Sequence, residues 1–118
     1  MNDELEQATF AYLAGLIDAD GTVTLTRSHA NKNRSATVTL SNTDKNLLIW
    51  VRTTLAAGTI SGKKTSKPYH SPSFTWTIRG RQAITLLQQL LPYLQTYKAK
   101  RAELIVRDYI RLTPRNGK

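Results

Sequence analysis

The stretch Leu13-Ala14-Gly15-Leu16-Ile17-Asp18-Ala19-Asp20-Gly21, followed by Thr22-Val23-Thr24-Leu25-Thr26, decides the reading of this chain. It joins a helix to a strand. Glu6 to Ala19 is predicted helical, because Phe10, Leu13, Leu16 and Ile17 recur with a period near about 3.6. Ala11, Ala14, Gly15 and Ala19 add small residues beside that stripe. Acids in the first turn suit the positive end of the helix dipole, and Gly21 is placed to stop the helix.

Working outward, Thr22 to Ser28 alternates strictly, with Val23 and Leu25 on one face and Thr22, Thr24 and Thr26 on the other. That is the pattern of a half-buried strand. After a basic turn from His29 to Arg34, Ser35 to Ser41 alternates again, with Ala36, Val38 and Leu40 inward, and the two strands form a hairpin. Asn42 or Thr43 can cap a second helix whose stripe is Leu47, Leu48, Val51 and Leu55 and which Gly58 closes. A second hairpin joins Thr59–Lys63 to Ser73–Arg79 through a loop rich in Lys, Ser and Pro. Ile84, Leu87, Leu91 and Leu94 mark a third helix that Pro92 breaks near its end. A last helix covers Tyr97 to Leu112, and Trp50 and Trp76 read as core. Paired strands separated by helices imply an antiparallel sheet with helices on one face, an α+β fold in a single domain over residues 1–118.

Composition narrows the function. The 118 residues hold 17 Lys and Arg against 8 Asp and Glu, a net charge of +9, which points to a polyanionic partner. Five of the eight acids lie in the first twenty residues. From Gly21 onward there are three acids and all 17 bases, a balance of +14, so Asp18 and Asp20 stand at the edge of a strongly basic region. The absence of Cys excludes disulfide scaffolds, Cys-ligated zinc and thiol catalysis. No apolar run reaches the length of a membrane span, and the acidic start is unlike a targeting peptide. The chain is expected to be soluble and intracellular, in the cytoplasm or an organelle.

The sheet face opposite the core is built from hydroxyls. It presents Thr22, Thr24, Thr26, Ser28, Ser35, Thr37, Thr39, Ser41, Thr59, Ser61, Lys63, Thr75, Thr77 and Arg79, bordered by Lys32 and Arg34. Thr suits any solvated strand face. Hydroxyls can also exchange hydrogen bonds with base edges while Lys and Arg neutralise phosphates, and a two-stranded ribbon fits the DNA major groove. The basic border favours the nucleic-acid reading.

The nine residues from Leu13 to Gly21 spell LAGLIDADG, and the chain resembles the LAGLIDADG homing endonucleases over nearly its whole length. The resemblance implies the αββαββα fold, with an antiparallel four-stranded sheet forming a DNA-binding saddle. It also implies metal-dependent hydrolysis of DNA phosphodiesters, with both strands cut across the minor groove to leave 3′ overhangs, in the service of intron homing. The second acid of the motif, Asp20, is implied as the catalytic ligand of Mg²⁺ or Mn²⁺, assisted by the carbonyl of Ala19. Asp18 is implied to be structural, near the interface. Asn42 falls where the family carries a polar residue that orders water, and is equally a helix cap. Lys98 falls where the family places a Lys near the scissile phosphate, with Lys100 or Arg101 as alternatives if the register shifts.

The residues support the same picture physically. Gly15 and Ala19 lie four apart on one helix face with Ala11 a turn earlier, so Ala11, Ala14, Gly15 and Asp18 are expected to border a close helix–helix contact. One motif per chain requires the partner helix from a second copy, hence a two-fold homodimer. Two-fold symmetry brings two Asp20 carboxylates together, an arrangement that favours a bound cation. Asp18 and Asp20 at a helix carboxyl end oppose the dipole, so they call for a reason beyond helix polarity. The principal reading is a site-specific, homodimeric DNA endonuclease with a long, near-palindromic target. The alternative is a binding protein of the same fold: an inactive DNA-binding regulator or an RNA-binding intron maturase.

Overall fold

The computed structural model describes residues 3–26, 35–63 and 72–112. In chain order these form α1 (Asp3–Asp20), β1 (Gly21–Thr26), β2 (Ser35–Asn42), α2 (Lys45–Leu55), β3 (Thr59–Lys63), β4 (Ser73–Arg79), α3 (Gly80–Leu90), a 3-10 turn at Leu91–Tyr93 and α4 (Tyr97–Leu112). The strands make one sheet in the order β1-β2-β4-β3, and every neighbouring pair is antiparallel. The expected αββαββα order, with its added last helix, is the observed one.

The two faces of the sheet follow from alternation. Val23, Val38 and Ile78 lie side by side across β1, β2 and β4, as do Leu40, Trp76 and Ile60 across β2, β4 and β3. Helices cover this side, contributing Leu13 and Ile17 from α1, Leu48 and Val51 from α2, Leu87 and Leu90 from α3, and Ala102 and Ile105 from α4. Each fully buried Leu, Val or Ile contributes about 1.5–3 kcal/mol relative to exposure. Trp76 is completely buried, and its indole N–H donates to the Ala57 carbonyl at 3.1 Å. Gly58, at φ +93, lies against that ring: a Cβ there would stand 2.2 Å from the indole nitrogen.

Several local readings are corrected. α1 begins at Asp3 rather than Glu6. The cap of α2 is Asp44, whose carboxylate accepts from the Asn46 and Leu47 N–H groups. Asn42 instead accepts from the Asp44 N–H at 2.8 Å, a turn that leads into the cap. α2 ends at Ala56 in the left-handed region, two residues before Gly58. Trp50 is not core: it lies off the buried stripe of α2, 40% exposed, and meets Tyr12 edge-to-face at 5.4 Å. Leu25, near the end of β1, is also exposed. Pro92 does end the third helix, inside the 3-10 turn.

Candidate nucleic-acid interface and metal site

The site begins where α1 becomes β1 without a loop. Asp20 is the last helical residue and Gly21 the first of the strand. A Cβ on Gly21 would lie 2.8 Å from the Ile17 Cα and 2.9 Å from the Thr39 carbonyl oxygen, so only glycine lets the helix end abut β2. Gly21 pairs with Leu40, and β2 runs two residues further to Asn42, beside the helix end. This junction delivers Ala19 and Asp20 to the exposed edge of the fold. Among the described residues none hydrogen-bonds to the Asp20 carboxylate.

The other acid of the motif is fully engaged within the chain. The Asp18 carboxylate accepts from the Gln95 N–H at 2.8 Å, the Thr96 N–H at 3.1 Å and the Thr96 hydroxyl at 2.5 Å. Partial burial works against its charge, but the Thr96 hydroxyl, the two N–H groups and the Lys98 cation outweigh it and hold the carboxyl below its usual range. Lys98, 7% exposed, turns its ammonium onto α1 and donates to the carbonyls of Ile17 and Asp18, both at 2.8 Å. Among Lys98, Lys100 and Arg101, Lys98 is the one whose ammonium bonds to the last turn of α1. Lys100 pairs with Glu103 at 3.1 Å, and Arg101 donates to the Val23 carbonyl at 3.3 Å.

The faces of α1 divide cleanly. Leu13, Ala14 and Ile17 point into the chain's own core, so Ala14 is not available to a partner helix, contrary to the sequence reading. Its complete burial beside the sheet explains why that position must be small. Asp18 likewise faces the 95–98 segment of its own chain. Ala11, Tyr12, Gly15 and Ala19 are exposed, and a Cβ on Gly15 would meet nothing within 4 Å.

The hydroxyl face is real and ordered. The register aligns Thr22, Thr39, Thr77 and Thr59 in one row across all four strands, and Ser41, Thr75 and Ser61 in the next. Within these rows Thr22 and Thr39 share a hydrogen bond of 2.6 Å, and Ser41 and Thr75 one of 2.8 Å, in which either hydroxyl can donate. Thr26 is bonded to Thr37 at 2.7 Å. Thr37 is buried, so it supports the surface rather than presenting a group on it, a correction to its expected contact role. Thr24 and Ser35 are partly exposed on the same strands, and Arg79 stands exposed at the end of β4. Ser28, Lys32 and Arg34 lie outside the described residues, as does the side chain of Lys63.

Sequence reasoning missed Gln95 and Thr96. The signal for Thr96 was present: a Thr before a helical run is a cap, and its hydroxyl accepts from the Lys98 N–H at 3.2 Å. It missed too the exposed aromatic pair of Tyr12 and Trp50 and the exposed Tyr97, whose ring lies 5.8 Å from the Lys98 ammonium and 5.5 Å from the Arg101 guanidinium.

Comparison with known proteins places this geometry. No curated protein matches the chain. Among solved structures, the homing endonuclease I-CvuI in complex with its Sro1.3 target, in the presence of Ca, superposes with a TM-score of 0.72 at 25% identity, over 91% of this chain and 69% of that one. I-CvuI with the I-CreI target and Mg, its DNA not cleaved, matches with a TM-score of 0.72 at 26% identity, over 96% and 72%. The archaeal intron-encoded I-Vdi141I, complexed with DNA, shares the fold at 14% identity and a TM-score of 0.66, over 91% and 72%. The model of the LAGLIDADG-like domain matches residues 7–92, which contain the helix–strand junction and the whole sheet, and the chain belongs to the LAGLIDADG homing endonuclease family.

Proposed function

We propose that this chain is a site-specific endonuclease that acts as a homodimer and cuts both strands of a long, near-palindromic DNA target with Mg²⁺ or Mn²⁺. The observation that carries the reading is the exposed Asp20 carboxylate, set by Gly21 between a small-residue helix face and a hydroxyl-lined sheet. The residues suit a hard divalent ion. A carboxylate and a helix-terminal carbonyl are oxygen donors, and Ala19 is among the last four residues of α1, whose carbonyls a helix cannot satisfy internally. Among the described residues no group of three or more acids or histidines could hold a metal within one chain. A second copy and the DNA phosphates would complete the coordination.

A divalent ion bound there supplies Lewis-acid stabilisation of the phosphate and an activated water. The chain's own residues supply the rest. Asp20 and the Ala19 carbonyl hold the ion, and Asn42, beyond the junction on β2, orders nearby water. Thr22, Thr24, Thr26, Ser35, Thr39, Ser41, Thr59, Ser61, Thr75 and Thr77 face the groove. Arg79 stands at the edge of that face, and Ser28, Lys32, Arg34 and Lys63 are the further candidates for DNA contact by their place in the sequence. Exposed Ala11, Gly15 and Ala19 let the α1 helices of two copies approach closely across a two-fold axis, bringing the two Asp20 residues together. Residues 1–118 act as one catalytic domain per protomer, in whichever compartment, cytoplasmic or organellar, holds the host genome. No described helix is long and apolar enough to cross a membrane.

Cleavage selection on a randomised near-palindromic library in Mg²⁺ yields the target, and Asp20→Asn then tests the site. The variant should bind that target as the parent does and cut neither strand. Cutting by the variant would remove Asp20 from this role. A parent chain that binds DNA yet never cuts in Mg²⁺ or Mn²⁺ would favour the binding-only alternative.

A further inference from the structure

The last turn of α1 and the first turn of α4 hold each other by opposite charges on opposite helix ends. Asp18 sits at the amino end of α4, taking the Gln95 and Thr96 N–H groups and the Thr96 hydroxyl. Lys98, from the first turn of α4, sits at the carboxyl end of α1, on the carbonyls of Ile17 and Asp18. Thr96 closes the ring, donating its hydroxyl proton to Asp18 and accepting from the Lys98 N–H. Each charge lies at the end of the other helix where that helix's dipole favours it.

We infer that this crossed pair fixes the Ala19 carbonyl and the Asp20 carboxylate for metal binding, with Asp18, Thr96 and Lys98 as positioning residues. Three features lead there. First, the carbonyls of residues 17–20 are the orphans of the helix end, and Lys98 takes the first two, so that those of Ala19 and Asp20 follow directly at the junction with β1. Second, the ammonium is buried and directed at backbone oxygens, the disposition of a group that fixes a helix end. Third, Asp18 and Lys98 are opposite charges held against each other's helix, while Asp20 has no hydrogen-bond partner among the described residues. Directly after Asp20 the chain is seated by Gly21 against the Thr39 carbonyl. Asp20 thus lies in the chain between a helix end that Lys98 holds and a glycine packed against β2. Outer groups that orient a metal ligand in this way typically govern metal affinity by about 10–100-fold.

The inference rests on the reading of Asp20 as a metal ligand, and the experiment separates the two. Ca²⁺ alone is titrated by calorimetry into the intact dimer–DNA complex, with DNA affinity in EDTA and thermal unfolding measured in parallel. Thr96→Val should weaken Ca²⁺ binding by about tenfold or more while DNA affinity in EDTA is unchanged, and Lys98→Met should weaken Ca²⁺ binding likewise. Thr96→Ser should restore parental Ca²⁺ binding, and Asp20→Asn should abolish it. Thr96 is exposed, so its variants keep the test intact even where Lys98→Met lowers the yield of folded protein. Parental Ca²⁺ affinity in Thr96→Val, or a loss in Thr96→Ser as large as in Thr96→Val, overturns the positioning role and leaves Asp20 in place. Ca²⁺ binding that survives Asp20→Asn overturns both.

Discussion

The end of α1 and the hydroxyl face of the sheet lie side by side, yet they use side chains in opposite ways. At the helix end each residue has a specified partner: Gly21 against Ile17 and Thr39, Asp18 against Gln95 and Thr96, Lys98 against two carbonyls. On the sheet, residues of one type face residues of the same type, and the hydrogen bond between Thr22 and Thr39 runs equally well in either direction. Positions with distinct donors and acceptors permit few substitutions. Positions that need only a β-branched or hydroxyl residue permit many. The first kind writes a motif into the sequence, and the second writes only a bias in composition.

The sharpest way to break this contrast is at Gly21. In Gly21→Ala the new Cβ meets two backbone atoms closer than 3.0 Å, so α1 must move relative to β2. Overpacking of this kind costs about 1–3 kcal/mol. For a domain of this size the expected fall in melting temperature is roughly 4–8 °C per kcal/mol, read by thermal unfolding. Cleavage should fall further than stability, because the displaced atoms carry Asp20. A variant that melts and cuts like the parent would show that the junction tolerates a side chain.

How much of this was legible in advance follows the same division. The helix–strand junction, the two hairpins and the inward faces of β2 and β4 were readable because period and alternation are local, whereas on β1 Val23 is buried and Leu25 is not. The crossed pair of Asp18 and Lys98 was not, since Asp18 and Thr96 are brought together by tertiary packing across the whole fold. The sequence showed two acids at a disfavoured helix end, and the structure gives Asp18 its reason: it serves the amino end of another helix. Ala14 was misassigned because small residues suit both a close helix pair and a tight core, and only burial separates the two. Trp50 was misassigned by its hydrophobicity. Its place off the stripe of Leu48 and Val51 was the better guide.

A pair of variants within α1 sharpens the comparison next. Ala14 and Gly15 are adjacent, but one is fully buried in the chain and the other faces open space. Ala14→Leu should lower the melting temperature through overpacking of about 1–3 kcal/mol. Gly15→Leu should fold well, since Leu exceeds Gly in helix propensity by roughly 0.8–1 kcal/mol. It should nevertheless sediment as a monomer and fail to cut. A Gly15→Leu chain that remains dimeric would move the subunit interface off this face.

The smallest effect belongs to the hydroxyl rows, where Thr22→Val, Thr39→Val and the double variant form a cycle. Val keeps the β-branched shape that suits a strand, so each change removes a hydroxyl and little else. Both residues retain access to water, so a hydroxyl that loses its neighbour is resolvated rather than stranded. The coupling between them should therefore stay within roughly 0.2–1 kcal/mol by thermal or denaturant unfolding. The same chemical change at Thr96 removes a hydrogen bond to a carboxylate, which is roughly twice as strong as a neutral one. Thr96→Val should accordingly cost more stability than Thr39→Val, although Thr96 is the more exposed of the two. If the order reversed, exposure rather than the identity of the partner would set the value of a hydroxyl in this fold, and the distinction between the two regions would lose its physical basis.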